Sequence, residues 1–161
     1  MGVMKTAMNR WLLPAAWLVT ASCAHSVIPG TEISDTEENR EILAIIDKYQ
    51  RAIESLDANA VLALVSPRFY EDNGNSDSSD DYDFEGLKAH LQSDFERTRA
   101  IQLVVRVDMV EVEETSAFAE LYYRIRAHNE YPAGMKWEEG SDRTRLQFER
   151  VDNRWLIVAG L

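Results

Sequence analysis

The spacing of the apolar residues changes once along the chain, near residue 100, and this change constrains the fold more than any other feature. Before it, apolar side chains recur at intervals of three and four, which is typical of amphipathic helices. After it, apolar and polar residues alternate, which is typical of half-buried strands. The sequence therefore predicts helices followed by an antiparallel sheet, an α+β fold.

The helical part divides into three predicted helices. The first spans 37–56 and carries an apolar stripe, and Asp57 can cap a second, shorter helix over 58–65. A short strand is predicted over 68–71 and a polar loop over 72–83. Asp83 can cap the third helix, whose apolar face consists of Phe84, Leu87, Leu91 and Phe95.

The alternating part predicts four strands, over 101–112, 117–128, 143–151 and 154–161. The apolar parity shifts between Met109 and Val110, which indicates a bulge. Residues 129–141 contain Pro132, Gly134 and Gly140 and are predicted to form a long connection. We expect a cone-shaped, strongly bent antiparallel sheet packed on three N-terminal helices, with a cavity at its open end.

The composition restricts the function classes. The chain has 161 residues, enough for one ordinary domain, with 17 basic and 28 acidic residues and a net charge of −11. This balance argues against a nucleic-acid partner, since such proteins neutralise phosphates with Lys and Arg. A single cysteine excludes an intrachain disulfide and a cysteine-cluster zinc site, and with only His90 and His128 in the predicted domain we expect no metal and no cofactor.

Residues 1–23, MGVMKTAMNRWLLPAAWLVTASC, combine a basic start, a short apolar core and small residues before the only cysteine. The apolar run is too short for a permanent membrane span and suits a secretory signal. The segment resembles a bacterial lipoprotein signal, which predicts cleavage after residue 22. The alternative is an ordinary signal with a chance cysteine.

The lipoprotein resemblance implies an acylated Cys23 that anchors the protein to a membrane of the cell envelope. Ala24 after it favours the outer membrane, facing the periplasm, in a Gram-negative cell. Residues 23–36 would form the lipidated cysteine and a flexible tether, and 37–161 the domain. Cleavage removes two basic residues and no acid, so the mature net charge would be −13.

Two stretches, KYQRAIESLDANAVLALVSPRFYEDNG and RLQFERVDNRWLIVAGL, together with the order of elements, resemble the nuclear-transport-factor-2-like superfamily. The resemblance covers about 37–161. This group includes scytalone dehydratase, the SnoaL-like polyketide cyclases and ketosteroid isomerase. It implies the cone-shaped fold expected above, but a fold does not give a function.

The resemblance to ketosteroid isomerase implies two catalytic candidates, Tyr49 as hydrogen-bond donor and Asp72 as base. The third group of that enzyme, a protonated acid, would lie on the strand over 143–148, where Thr144 falls closest. Each candidate has an alternative interpretation: Tyr49 as a core tyrosine in the apolar stripe of helix 1, and Asp72 as a turn residue before Asn73 and Gly74.

Three functions stay open at this stage. The first is a non-catalytic domain that binds a small apolar or amphipathic ligand, with Tyr49, Tyr70 and Trp155 as pocket candidates, or a protein partner. The second is a small isomerase, dehydratase or cyclase using Asp72 and Tyr49. The third is a structural or assembly subunit of an envelope complex.

Two further surfaces carry predictions. The outer face of the sheet, with Tyr122, Arg124 and Arg126, could form a homodimer, or it could be a solvated face. Seven carboxylates lie within 71–85, so this segment could hold calcium. A solvated, mobile loop is the favoured interpretation, because acidic polar runs rarely bury enough surface to become ordered.

Overall fold

The computed structural model describes residues 26–161. The order of elements is α1 (Glu37–Glu54), α2 (Ala58–Leu62), β1 (Tyr70–Glu71), β2 (Tyr82–Asp83), α3 (Phe84–Arg97), β3 (Thr98–Val112), β4 (Ser116–Tyr131), β5 (Gly134–Val151) and β6 (Arg154–Ala159). Strands β3 to β6 form an antiparallel sheet in sequence order, and β1 pairs with β2 separately. The predicted α+β plan of helices followed by a sheet is confirmed.

Each helix start is capped by a side chain, and two of these caps, Asp57 and Asp83, were predicted from the sequence. Thr36 accepts a hydrogen bond from the backbone N–H of Asn39, Asp57 from that of Ala60, and Asp83 from that of Gly86. These side chains satisfy backbone donors that the first helical turn leaves free. The three helices therefore begin where the sequence indicated.

Helix α1 docks on the sheet through polar and apolar contacts. Gln50 donates to the backbone carbonyl of Leu103 at 2.6 Å, and Glu54 accepts from the Leu103 N–H at 3.0 Å. Because β3 is an edge strand, these side chains satisfy backbone groups that no further strand would pair. The apolar side of the helix, including the buried Ile42 and Ile46, contributes to the main core.

The connection predicted over 129–141 is wrong. Tyr131 pairs with Gly134 across a two-residue turn, and β4 and β5 continue as one long hairpin. Gly134 adopts a φ of 115°, which a glycine reaches at little cost, so Pro132 and Gly134 mark a tight turn rather than a loop. Gly140 lies within β5, opposite Ile125, and a Cβ added there would lie 3.7 Å from the Ile125 side chain, an ordinary contact distance.

The predicted bulge lies slightly earlier than expected. The register between β3 and β4 shifts between Val107 and Met109, so Asp108 is the extra residue. A second shift lies between Thr98 and Ala100. Each bulge bends a strand and increases its twist, which helps the sheet to curve over the helices.

The described part of the segment expected to be a flexible tether, residues 26–36, forms an ordered turn that is anchored to the domain through Ile33 and Ser34. Val27 bridges to Ser34, the Ile28 N–H donates to the Ile33 carbonyl at 2.8 Å, and Ile33 is buried. Asn39 of α1 donates to the carbonyl of Ser34 at 2.8 Å. Burial of Ile33 explains the difference, because an apolar anchor offsets the entropy of ordering a short turn. Cys23 and the predicted signal lie outside the described residues.

Candidate functional site

A cavity of about 900 Å³ lies between the inner face of the sheet and helices α1 and α3. Its walls are mostly apolar: Ile46, Tyr49 and Ile53 from α1, Leu91 and Phe95 from α3, and Ile101, Leu103, Val105, Leu121, Tyr123, Ile125 and Leu146 from the sheet. Alternation along the strands produces this wall, because every second residue faces inward. A pocket of this size and lining is typical of small-molecule sites.

One end of the cavity carries acidic groups, and we call it the acidic rim: Glu71, Asp72, Asn73, Gly74, Asp142 and Thr144. Glu71 accepts hydrogen bonds from the backbone N–H groups of Gly160 and Asn73. Asp72 is exposed and accepts from the Gly74 N–H at 2.9 Å, and Asp142 is exposed and accepts from the Arg143 N–H at 2.7 Å. The rim therefore places three carboxylates at one opening.

Gly160 closes the wall next to this rim. Its φ is 92°, and a Cβ at this position would lie 2.1 Å from the backbone oxygen of Arg145. No side chain fits there, so the chain must carry glycine for β6 to turn against β5. The same residue donates its N–H to Glu71, and its carbonyl accepts from the Thr144 hydroxyl at 3.2 Å.

A second polar cluster lies further along β4, where α3 ends. Arg97 donates to Asp94 at 2.6 Å, and the Thr98 hydroxyl lies 2.8 Å from the Asn129 side-chain oxygen. The Asn129 amide in turn donates to Glu138 at 2.9 Å. These groups satisfy one another, which distinguishes this end of the cavity from the acidic rim.

Tyr49 lies in the cavity wall, and its hydroxyl has no hydrogen-bond partner among residues 26–161. Burial raises the pKa of the Tyr49 phenol well above its ordinary value, and Tyr82 and Tyr123 raise it further. Tyr82 donates its hydroxyl to the carbonyl of Leu161 at 2.7 Å, and burial followed by the charge of Glu71 raises its pKa. Both phenols are therefore neutral at physiological pH.

The structure brings Tyr49 and Asp72 to the same cavity. The carboxylate of Asp72 takes part in an aspartate turn, as in the alternative interpretation of this residue. Thr144, nearest to the expected third acid, also lines the cavity and bonds to Gly160.

Two of the pocket candidates need correction. Tyr70 is 52% exposed, lies outside the cavity wall and donates to Asp81 at 2.5 Å. Strand alternation explains this, because Phe69 and Glu71 face inward and Tyr70 faces out. Trp155 is 4% exposed and packs in the hydrophobic core instead of lining the cavity.

Sequence reasoning missed Glu71, Tyr123 and Asp142 as cavity residues. Tyr123 follows the alternation of β4, so its inward orientation was visible in the pattern. Asp142 lies two residues before Thr144 on the same side of β5, but it fell between the predicted connection over 129–141 and the predicted strand over 143–151. Correct assignment of the hairpin would have placed it at the rim.

The acidic segment after β1 is organised by local hydrogen bonds. Asp77 accepts from the Ser79 N–H, Asn75 accepts from the Asp77 N–H, and the Asn73 amide donates to the Asp80 carbonyl. Within the part of the chain that the structure describes, no group of three or more His, Cys, Asp or Glu side chains could hold a metal ion. Over the same residues, no helix is both long and apolar enough to cross a bilayer.

Comparison with solved structures identifies the architecture. A ketosteroid isomerase-like protein from Erwinia carotovora has a TM-score of 0.64 at 16% identity, over 78% of this chain and 95% of its own. An NTF2-like protein of unknown function from Pseudomonas putida has a TM-score of 0.62 at 14% identity, over 78% and 85%. The chain has the nuclear-transport-factor-2-like fold.

A candidate dehydratase of the NTF2-like family from Streptomyces avermitilis also matches, with a TM-score of 0.63 at 12% identity over 76% of this chain and 93% of its own. No protein-family model matches the sequence, and no curated protein matches it significantly. At these identities the nuclear-transport-factor-2-like likeness establishes the fold and leaves the activity to be argued from the cavity.

Proposed function

We propose that the domain binds a small apolar or amphipathic molecule in its cavity and performs no chemistry on it. The observation that carries this proposal is the open space of about 900 Å³ behind mostly apolar walls. A structural or assembly subunit would need no such space, because a filled core is more stable than an empty one. The apolar walls supply affinity, and the rim supplies orientation.

The test uses N-phenylnaphthylamine, a neutral apolar dye that fluoresces when it leaves water, with purified residues 26–161, which contain the hydrophobic core described above. Ile125 lines the cavity, so Ile125→Trp fills part of it and should weaken dye binding by about tenfold or more, equivalent to about 1.4 kcal/mol. Val104 lies on the same sheet but is 54% exposed on the outer face, so Val104→Trp is the matched control. Equal dye binding by both variants would contradict the proposal.

A second candidate function is acid–base catalysis with Asp72 as base and Tyr49 as donor. Its support is that both residues line one cavity, and that the fold neighbours include a ketosteroid isomerase-like protein and a candidate dehydratase. A neutral phenol could stabilise a developing oxyanion. An isomerase or dehydratase activity lost in both Tyr49→Phe and Asp72→Asn, with dye binding retained, would favour this function over simple binding.

We also propose that Cys23 carries lipid and anchors the protein to a cell-envelope membrane. The support is the lone cysteine after a short apolar signal. Cell fractionation of the full chain tests it: the wild type should sediment with membranes, and Cys23→Ser should be released into the periplasm. Release of both proteins would overturn the lipoprotein interpretation.

A further inference from the structure

The charges at the acidic rim are unbalanced. Asp72 and Asp142 are exposed at the opening, and neither forms an ion pair with any residue of 26–161. Each uses one carboxylate oxygen for a neighbouring backbone N–H. The other oxygen of each remains able to accept a hydrogen bond from a bound molecule.

Two arginines, Arg143 and Arg145, also line the cavity, but both are paired with acids outside the rim. Arg143 donates to Asp108 at 2.8 Å, and Arg145 pairs with Glu120. Strand pairing places Arg143 beside Tyr122 and Arg145 beside Glu120, on the outer face of the sheet. Their guanidinium groups are therefore held by acids on that face, and the opening keeps its negative charge.

The deeper part of the cavity suits the body of a cationic molecule. Tyr49 and Tyr123 add aromatic surface to the lining, against which an apolar body can pack. The Tyr49 hydroxyl, unpartnered within the described residues, offers a neutral acceptor or donor. Most of the remaining lining is aliphatic or phenyl, and the polar groups at the far end, Asp94, Arg97, Thr98 and Asn129, are already hydrogen-bonded to one another or to neighbouring side chains.

We propose that the ligand of this cavity is an amphiphile with a positively charged amine, whose ammonium group binds the free carboxylate oxygens of Asp72 and Asp142 while its apolar body fills the cavity. This inference rests on the proposed binding function and adds the charge of the ligand to it. An anionic amphiphile of the same shape would be repelled by the carboxylates of the rim and by the excess of acidic residues in the chain. A neutral one would gain only the apolar contacts.

The test compares three probes that share one alkyl chain: dodecylamine, dodecanol and dodecanoate. Each competes with N-phenylnaphthylamine for residues 26–161 at neutral pH, low salt and concentrations below micelle formation. Dodecylamine should bind about fivefold more tightly than dodecanol, the effect of a partly exposed charge pair worth about 1 kcal/mol. Dodecanoate should bind more weakly than dodecanol.

A double variant, Asp72→Asn with Asp142→Asn, separates the rim from the general charge of the protein. Asparagine can still accept the two backbone hydrogen bonds, so the local turns are kept. The variant should bring dodecylamine to the affinity of dodecanol and leave dodecanol unchanged. The matched control, Glu41→Gln with Glu114→Gln, removes two exposed acids away from the cavity and should retain the preference for the amine.

The outcomes distinguish the two proposals. If dodecanol displaces the dye and dodecylamine is no better, or if the control variant loses the preference as fully as the rim variant, the charged-ligand inference is overturned and the binding function stands. If none of the three probes displaces the dye and Ile125→Trp leaves dye binding unchanged, both proposals are wrong.

Discussion

The two faces of the four-stranded sheet come from the same strands and have opposite chemistry. On β4, Leu121, Tyr123 and Ile125 face the cavity, while Tyr122 and Arg124 face outward. The inner face carries its polar groups only at the ends of the cavity. The outer face carries charges along its whole length: the arginines 106, 124, 126, 143 and 145 and the acids 108, 120 and 139.

Most charged side chains of the outer face are paired with other charged side chains of the same face. Arg126 pairs with Glu139, and its guanidinium also lies 5.0 Å from the centre of the Trp137 ring. Arg106 donates to Asp108 and holds the pKa of that carboxyl below its usual range. In contrast, the acidic rim of the inner face keeps carboxylates without ion pairs within the described chain. The difference supports the proposed ligand site on the inner face, and it leaves the outer face to water or to the proposed second protein surface.

The largest expected difference between the faces is in stability. Phe148 is 2% exposed on the inner face, and Phe148→Ala should lower the free energy of unfolding by about 3–5 kcal/mol through lost burial and a new void. Arg124 is exposed on the outer face, so Arg124→Ala should change the free energy of unfolding by no more than about 0.5 kcal/mol. Urea unfolding of residues 26–161 measures both. Similar losses in the two variants would show that the outer face is also buried.

The alternation that separates the faces was predictable from the sequence, and so was the order of helices and strands. Capping by Asp57 and Asp83 predicted the starts of the second and third helices, because these residues bind free backbone donors locally. Local chemistry of this kind depends on neighbours in sequence. Strand alternation is equally local, so it assigns Tyr122 and Tyr123 to opposite faces without reference to distant partners.

Features that depend on distant partners were not predictable. Gly160 is required by the Arg145 carbonyl opposite it, and Glu71 is held by the Gly160 amide, 89 residues away. Tyr70 and Trp155 were assigned to the pocket by residue type. In the folded domain Tyr70 is exposed to solvent and Trp155 is buried in the core. The 129–141 error had a different cause, because Pro132 and two glycines are compatible with either a loop or a hairpin.

A second prediction concerns pairing of the domain through its outer face. Val104 and Trp137 are 54% and 42% exposed there, and aromatic and arginine side chains are enriched in interfaces. We expect a homodimer at micromolar concentration, measured by sedimentation of residues 26–161. Val104→Arg adds a charge to the face and should give a monomer, while Val27→Arg, on a valine that is 47% exposed outside the main sheet, should not. A wild type that stays monomeric at higher concentration would contradict pairing.

The smallest expected difference lies between two neighbouring glutamates of β5. Glu138 pairs with Ala127 of the cavity wall, and Glu139 pairs with Arg126 on the outer face. Hydrogen bonds from Tyr131, Asn129 and Lys136 lower the pKa of Glu138 from 4.5 to about 2. Since the folded state favours the ionised form, Glu138 stabilises the fold above its unfolded pKa of 4.5, and this contribution is lost as the pH falls toward 2.

Carboxyl-carbon NMR of residues 26–161 should therefore give Glu138 a pKa near 2. Glu138→Gln keeps the shape of the side chain and removes its titration, so this variant should lose less stability than the wild type as the pH falls from about 5 to about 3. Glu139→Gln removes the same charge from the outer face and is the matched control. The stability that Glu139→Gln loses over this pH range should be closer to the loss of the wild type, because Glu139 is bound by the exposed Arg126 alone. The prediction is contradicted if Glu138 has an ordinary glutamate pKa and both variants lose the same amount of stability as the pH falls. The two faces would then not differ at this end of the hairpin.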